Sequence, residues 1–280
     1  MKGKTVVVTG GTSGIGKVAA EKLAKMGARI VLIARDKPRA EATLALLRQA
    51  APDLAHTAHY ADLSRISEMK QAASAIAAQE PRIDVLLNNA GALFGARRTS
   101  EDGLELTFAL NHMSYFVVTE LLLNRLAFSA PARIINTSSR AHQGARLDFD
   151  DLQMTKRYGA MRAYCRSKLC NILFTRELAG RIEGTGVTVN CLHPGFVATR
   201  FADEAGGLIS SFAGVAKLLA ISPEDGADTI VYLASSPEAA GVSGQYFYKR
   251  RSVSPSAAAL DRKAALELWK RSAALSGLDH

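Results

Sequence analysis

Tyr164 stands four residues ahead of Lys168 in the stretch Tyr164-Cys165-Arg166-Ser167-Lys168, and Ser138-Ser139 ends an apolar run upstream of it. On a helix, positions i and i+4 share a face, so the phenol and the ammonium enter the same space. An ammonium beside a phenol favours the phenolate and is expected to lower the tyrosine pKa from its ordinary value near ~10. A tyrosine tuned in this way can donate a proton to a carbonyl under reduction. Tyr-x-x-x-Lys is common by chance, so the reading depends on whether the rest of the chain can hold a hydride carrier. Cys165, beside the tyrosine, is read as structural.

Such a carrier has a candidate seat. Thr9-Gly10-Gly11-Thr12-Ser13-Gly14-Ile15-Gly16 joins the first apolar run to the first helical segment. Gly10 suits a sharp turn, Gly14 a close approach of a pyrophosphate, and Gly16 tight helix–strand packing. The free N–H groups of a helix start then favour the anion. A P-loop is excluded, because Gly16-Lys17 is followed by Val18. The second run ends Ile33-Ala34-Arg35-Asp36. An NAD site needs a carboxylate here, whereas an arginine can bind a 2′-phosphate. Arg35 therefore leads to an expectation of NADP(H), with Lys17 and Lys37 as auxiliary charges. Asp36 is the residue that would support NAD instead.

The elements that must position these groups follow a regular alternation. Expected strands are Thr5–Thr9, Arg29–Ala34, His56–Ala61, Val85–Asn88, Arg133–Thr137, Val187–Leu192 and Gln245–Tyr248. Between them lie helical patterns at Gly16–Met26, Arg39–Gln49, Ser64–Gln79, Leu104–Leu126, Tyr164–Ile182 and Pro223–Ala234. Strand and helix in alternation mean a doubly wound α/β domain, a parallel sheet with helices on both faces. No linker divides the chain, so residues 1–280 read as one domain. Its cofactor half is about 1–138, its catalytic and substrate half about 139–260, and an amphipathic helix with Trp269 covers about 261–275. Two irregular stretches, Arg140–Ala163 and Phe196–Ser222, leave from strand ends and are expected to wall the substrate pocket.

Composition narrows the class. The chain is 48% hydrophobic with formal net charge +9, and its basic residues are scattered apart from short clusters such as Arg97-Arg98 and Lys249-Arg250-Arg251. No zinc-finger, helix-turn-helix or RNA-binding motif accompanies them, so nucleic acid is not expected as a partner. No apolar run reaches the ~18 residues of a membrane span. The strand Thr5–Val8 begins too early to leave room for a signal peptide ahead of it. Cys165, Cys170 and Cys191 have no metal-ligand spacing and read as free thiols of a reducing, cytoplasmic compartment; no metal site is expected.

Taken in order, Thr9-Gly10-x-x-x-Gly14-Ile15-Gly16, Ala61-Asp62-Leu63, Asn88-Asn89-Ala90-Gly91, Asn111-His112, Ser138-Ser139, Tyr164-x-x-x-Lys168 and His193-Pro194-Gly195 resemble the short-chain dehydrogenase/reductase family over nearly the whole chain. Tyr164-Cys165-x-Ser167-Lys168-Leu169, Phe174-Thr175-Arg176-Glu177-Leu178 and the long interval from Ser139 to Tyr164 are similar to its retinol dehydrogenase-like branch. The resemblance implies a Rossmann-like sheet of seven strands and an NADP(H)-dependent oxidoreductase interconverting a carbonyl and an alcohol.

Carried onto this sequence, the resemblance implies Tyr164 as general acid/base, Lys168 as its partner and ribose ligand, Ser139 as the substrate-oxygen donor, and Asn111 as holder of a relay water. It implies cofactor contacts from Gly10, Thr12, Ser13, Gly14, Ile15, Gly16, Arg35, Asp62, Leu63, Asn89, Ala90, Gly91, Pro194, Gly195, Val197 and Thr199. On residues alone, Asn111 equally fits a side chain satisfying backbone groups inside a helix, and Asp62 fits a helix-start acid. His112 and His193 read as structural. Members of the branch held in membranes carry an apolar N-terminal anchor that this chain does not show, which weighs against a bilayer-dissolved retinoid and keeps a lipophilic aldehyde or ketone as the expected substrate. A homodimer or homotetramer is implied by analogy. The competing reading is a non-catalytic dinucleotide sensor on the same fold.

Overall fold

The computed structural model describes residues 1–195 and 221–278. Its strands are β1 (Thr5–Thr9), β2 (Arg29–Ala34), β3 (Thr57–Tyr60), β4 (Val85–Asn88), β5 (Ala132–Thr137), β6 (Val187–Leu192), β7 (Tyr246–Tyr248) and β8 (Arg251–Ser252). They form one sheet in the order β3-β2-β1-β4-β5-β6-β7-β8. All neighbours are parallel except β7 and β8. Among the described residues the sheet thus has eight strands rather than the expected seven. The added strand follows a two-residue hairpin turn, Lys249-Arg250, whose φ angles are both positive, 47° and 62°. That left-handed pair is the backbone a tight hairpin requires. Its cost is offset by Arg250, which pairs with Asp228 and donates its backbone N–H to Thr229 Oγ1 at 3.2 Å.

The helices are α1 (Gly14–Lys25), α2 (Lys37–Ala50), α3 (Ile66–Gln79), α4 (Leu106–Phe128), α5 (Ala160–Arg181), α6 (Pro223–Ser235) and α7 (Arg262–Ser276). The period of two along the strands divides the core. Val6, Val8, Ile30 and Leu32 enter one apolar cluster with α1 and α6, while Val7, Val31 and Ile33 enter another with α3, α4 and α5. Both faces are therefore covered, which explains why these strands are apolar throughout.

Helix α4 is long and apolar enough to cross a membrane by length and composition alone. That apolarity is spent inside the fold, where 72% of the stretch is buried, with Phe116, Val117, Val118 and Leu122 in the core. The chain's own helix α7 packs on α5. Its Trp269 ring lies 5.1 Å from that of Phe116 and is stacked on Phe174 at 5.8 Å, with the Arg181 guanidinium 4.1 Å from its centre. Helix α7 thus covers part of the α4–α5 face.

Strand order reverses between β1 and β4, and the crevice beyond their carboxyl ends is where such sheets bind ligands. The ends of β1, β4, β5 and β6 carry Gly10, Asn89, Ser138-Ser139 and His193-Pro194-Gly195 respectively.

Candidate active site

Two glycines at the end of β1 shape a cradle. Gly10 has φ +66°, and a Cβ there would stand 2.7 Å from Ala90 Cα. Gly14, with φ +52°, opens α1. A Cβ on Gly16 would collide with Asn89 and the Gly10 carbonyl, so this glycine serves close packing. Ser13 precedes α1 in extended conformation but makes no side-chain cap, leaving the first N–H groups of that helix to an outside acceptor. Exposed Ser13 and part-buried Thr12 rim the turn, whereas Ile15 belongs to the core beneath it.

Asn89, Ala90 and Gly91 face this turn. Asn89 Nδ2 donates to the Gly10 carbonyl at 3.1 Å and its Oδ1 accepts from Thr137 Oγ1 at 3.2 Å. Thr9 Oγ1 accepts from the N–H groups of both Asn89 and Ala90, at 2.9 and 3.1 Å. Thr9 ties the two strand ends together.

Arg35, at the end of β2, is 64% exposed and points one guanidinium nitrogen to within 3.8 Å of Asp62 Oδ2. Asp36 is spent elsewhere: its Oδ1 accepts the Arg39 N–H at 3.0 Å and caps α2. Asp62 holds the turn before α3 through Ser64, whose N–H and hydroxyl donate to Oδ1 at 3.0 and 2.8 Å. Both readings of Asp62 thus describe parts of its environment, a helix-start acid that still faces Arg35. Leu63 is buried under it.

At the end of β5 the two serines diverge. Ser138 is buried and donates to the Lys168 carbonyl at 2.7 Å. Ser139 is part-exposed, accepts the Ala141 N–H at 3.2 Å, and shares a hydrogen bond with the Tyr164 phenol. Tyr164 and Lys168 project from one face of α5, with the ammonium 5.6 Å from the Tyr164 ring centre. Lys168 Nζ donates to the Thr137 carbonyl at 3.2 Å.

Asn111 sits in a π-helical turn, Ala109–Met113, inside α4. Its side chain bonds the Ala92 N–H and carbonyl, each at 2.9 Å, and donates to Ser167 Oγ at 3.0 Å. The carboxamide therefore does satisfy backbone groups. It also brings Oδ1 beside Gly91, where an added Cβ would lie 3.2 Å from it and 3.4 Å from Lys168 Nζ.

The titration of the pair departs from expectation. Burial pushes Tyr164 up to about 12, partly opposed by its bond to Ser139, and pulls Lys168 down to about 8. Desolvation of the charged form is the largest influence on each group, and for the tyrosine the Ser139 bond recovers part of the cost. At neutral pH the tyrosine holds its proton.

Comparison with known proteins decides the lineage. The family model for short chain dehydrogenases matches residues 4–206. The chain belongs to the short-chain dehydrogenase family.

Among relatives, Homo sapiens retinol dehydrogenase 13 is 42% identical over 99% of this chain and 86% of its own. A solved structure from Mycobacterium Paratuberculosis has a TM-score of 0.79 at 30% identity, covering 99% of this chain and 94% of that one. A Pseudomonas aeruginosa RhlG/NADP active-site complex has a TM-score of 0.70 at 28% identity, covering 88% and 94%. The retinol dehydrogenase resemblance is thereby shown.

In this short-chain dehydrogenase, Pro194 and Gly195 extend β6, and Gly195 has φ +95° with room for no Cβ beside Ile221 Cδ1. Val197 and Thr199, and the stretch 196–220 expected to wall the pocket, lie outside the described residues. The three cysteines are free thiols. Sequence reading passed over His142, which is fully buried below Ser139. Its Nδ1 lies 2.7 Å from the Ser139 carbonyl, and its Nε2 accepts the Ser256 N–H at 3.1 Å. Asn136 was also missed, and Asn88, quoted as part of a motif, was given no role. Asn88 Nδ2 donates to Asn136 Oδ1 and to Thr119, and Asn136 Nδ2 donates to Thr175, all at 2.9 Å. Polar residues in the middle of strands were the available signal, since burying them demands partners.

Proposed function

We propose that this protein is an NADP(H)-dependent oxidoreductase that interconverts a carbonyl and an alcohol, with Tyr164 as the general acid/base. The observation that carries the proposal is the hydrogen bond between Ser139 and Tyr164, with Lys168 behind the phenol at the end of β5. Both hydroxyls would face a carbonyl oxygen bound in the crevice where the glycine cradle opens.

The cradle fits a dinucleotide: glycine backbone, an uncapped helix start and Arg35. Gly10, Gly14 and the start of α1 would hold its pyrophosphate, and Arg35 a 2′-phosphate. When bound, NADPH supplies the hydride. Ser139 Oγ–H would polarise the substrate oxygen, and Tyr164 would pass its proton to that oxygen as negative charge develops. Because Tyr164 is protonated at neutral pH, the described state suits carbonyl reduction. Lys168, drawn down to about 8, would stabilise the phenolate left behind. Asn111, bridging toward Lys168 through Gly91, would hold the water that restores the proton. The retinol dehydrogenase relatives support a lipophilic aldehyde or ketone as substrate, and the RhlG/NADP complex supports the choice of cofactor.

A panel of aldehydes and ketones followed by NADPH absorbance tests the assignment. Tyr164→Phe should lower turnover ~10²–10⁴-fold while NADPH still binds by fluorescence titration. Turnover equal to the parent would sink the reading.

A further inference from the structure

Beside the first turns of α5 lies a recess lined by part of the Arg140–Ala163 stretch expected to wall the substrate pocket, on residues other than Ser139, Tyr164 and Lys168. Its volume is about 530 Å³, between the Gln143–Arg146 segment and the helix residues Met161, Arg162, Cys165 and Arg166. These helix positions occupy a face rotated away from that of Tyr164 and Lys168. The recess continues over Lys156 and Arg157. Five cationic side chains therefore line one continuous groove: Arg146, Lys156, Arg157, Arg162 and Arg166.

Only two carboxylates share it, and both serve the backbone. Asp151 accepts the Thr155 N–H at 2.6 Å, the Thr155 hydroxyl at 2.8 Å and the Lys156 N–H at 3.2 Å. Asp148 Oδ1 accepts the Asp150 N–H at 3.1 Å. Among the described residues, none of the five cations comes within ion-pair distance of a carboxylate, although Asp151, held low first by its Thr155 bonds, also feels the charge of Lys156. Arg162 donates to the Arg157 carbonyl.

Arg166 forms the floor. It is only 8% exposed, its Nη2 donates to the Asp148 carbonyl at 3.0 Å, and its Nε is buried with no partner. A buried guanidinium half used, and surrounded by further cations, is costly without an anion. The excess of positive charge is spread over several planar forks rather than one point, which matches a multiply charged group of several oxygens.

We propose that this groove binds a phosphate-bearing anion, with Arg146 and Arg162 at its rim and Arg166 beneath. The site is separate from the dinucleotide cradle and does not depend on the hydride chemistry. Its ligand is either a free phosphorylated small molecule or the headgroup of a phosphate-bearing lipid.

The test uses full-length protein saturated with NADP⁺, so that the glycine turn is already filled, at constant ionic strength. Added pyrophosphate is expected to raise the unfolding temperature in a saturable manner. The shift should vanish in the double variant Arg146→Gln/Arg162→Gln, both exposed positions, and persist in Arg35→Gln and Tyr164→Phe. Co-sedimentation with phosphatidylcholine vesicles, with and without phosphatidate, separates the sources. Phosphatidate-dependent sedimentation lost in the double variant, without a pyrophosphate shift, assigns the groove to lipid headgroups. An equal pyrophosphate shift in parent and double variant, or no response to either probe, overturns the proposal. So does a shift lost in Arg35→Gln alone, which would return the anion to the cofactor cradle. Circular dichroism of the double variant checks that it folds.

Discussion

Lowering the pH should loosen this protein through His112, and by an amount that its surroundings set. The ring lies in the π turn of α4, 1% exposed, packed 5.1 Å from Phe108 and 6.1 Å from Phe174. Its Nε2 is 2.9 Å from Ser272 Oγ on α7, so it links two helices. Burial pulls its pKa from 6.5 down to about 4. The unfolded chain therefore binds the proton more readily, and the stability that neutral His112 confers is complete above pH 6.5 and lost as pH falls toward 4. Near pH ~5 the unfolded imidazole is favoured by ~1.5 log units, which is about 2 kcal/mol. The assay is urea unfolding at pH ~7.5 and ~5 for the parent and for His112→Gln. The amide faces Ser272 without titrating in this window. His142 and His193 are also lowered by burial, so the parent curve contains their effect and only the difference between proteins isolates His112. The variant should start less stable yet lose about 2 kcal/mol less between the two pH values. Equal losses would refute the claim that His112 is neutral and buried in the fold.

Three further outcomes are expected. Trp269→Ala should cost about 3 kcal/mol by urea unfolding, because it empties the site between Phe116 and Phe174; a loss below ~1 kcal/mol would mean that α7 is not docked as described. Gly10→Ala forces a Cβ against the Ala90 backbone at φ +66° and should weaken NADPH binding at least ~10-fold by fluorescence titration, since the strain falls on the cradle. Arg35→Ala should reduce the preference for NADPH over NADH ~10–100-fold in kcat/KM, the value of one or two charge-assisted hydrogen bonds; an unchanged ratio would show that Arg35 does not read the 2′-phosphate.

The order of elements and the glycine turn were legible because they rest on local rules. Strands such as Val6-Val7-Val8 are apolar on both faces, and Gly10 answers a backbone demand at its own position. What was not legible depends on surroundings. Strand β8 is two exposed residues, and its turn uses Lys249 and Arg250 in a conformation that usually signals glycine or asparagine. The rise of Tyr164 to about 12 comes from burial, which a Tyr-x-x-x-Lys spacing does not encode. That α7 would lie on the α4–α5 face could not be read from its amphipathic pattern, because the pattern states that one side is covered and not by what. That Asp36 caps α2 while Arg35 faces Asp62 depends on the local backbone, which the dipeptide itself does not state.

The π turn at Ala109–Met113 is a stretch of helix carrying one residue more than its length needs, so it alters the chain locally while both flanks keep ordinary helical geometry. The core packing of Phe116 and its neighbours and the bonds made by the Asn111 carboxamide are thereby separable properties. Excising a single residue from the turn would regularise the helix and retract Asn111 from Gly91 and Lys168 without rewriting the apolar stripe. A helix that gains one residue here acquires the Asn111 bonds to Ala92 and Ser167 while its apolar stripe stays as it was.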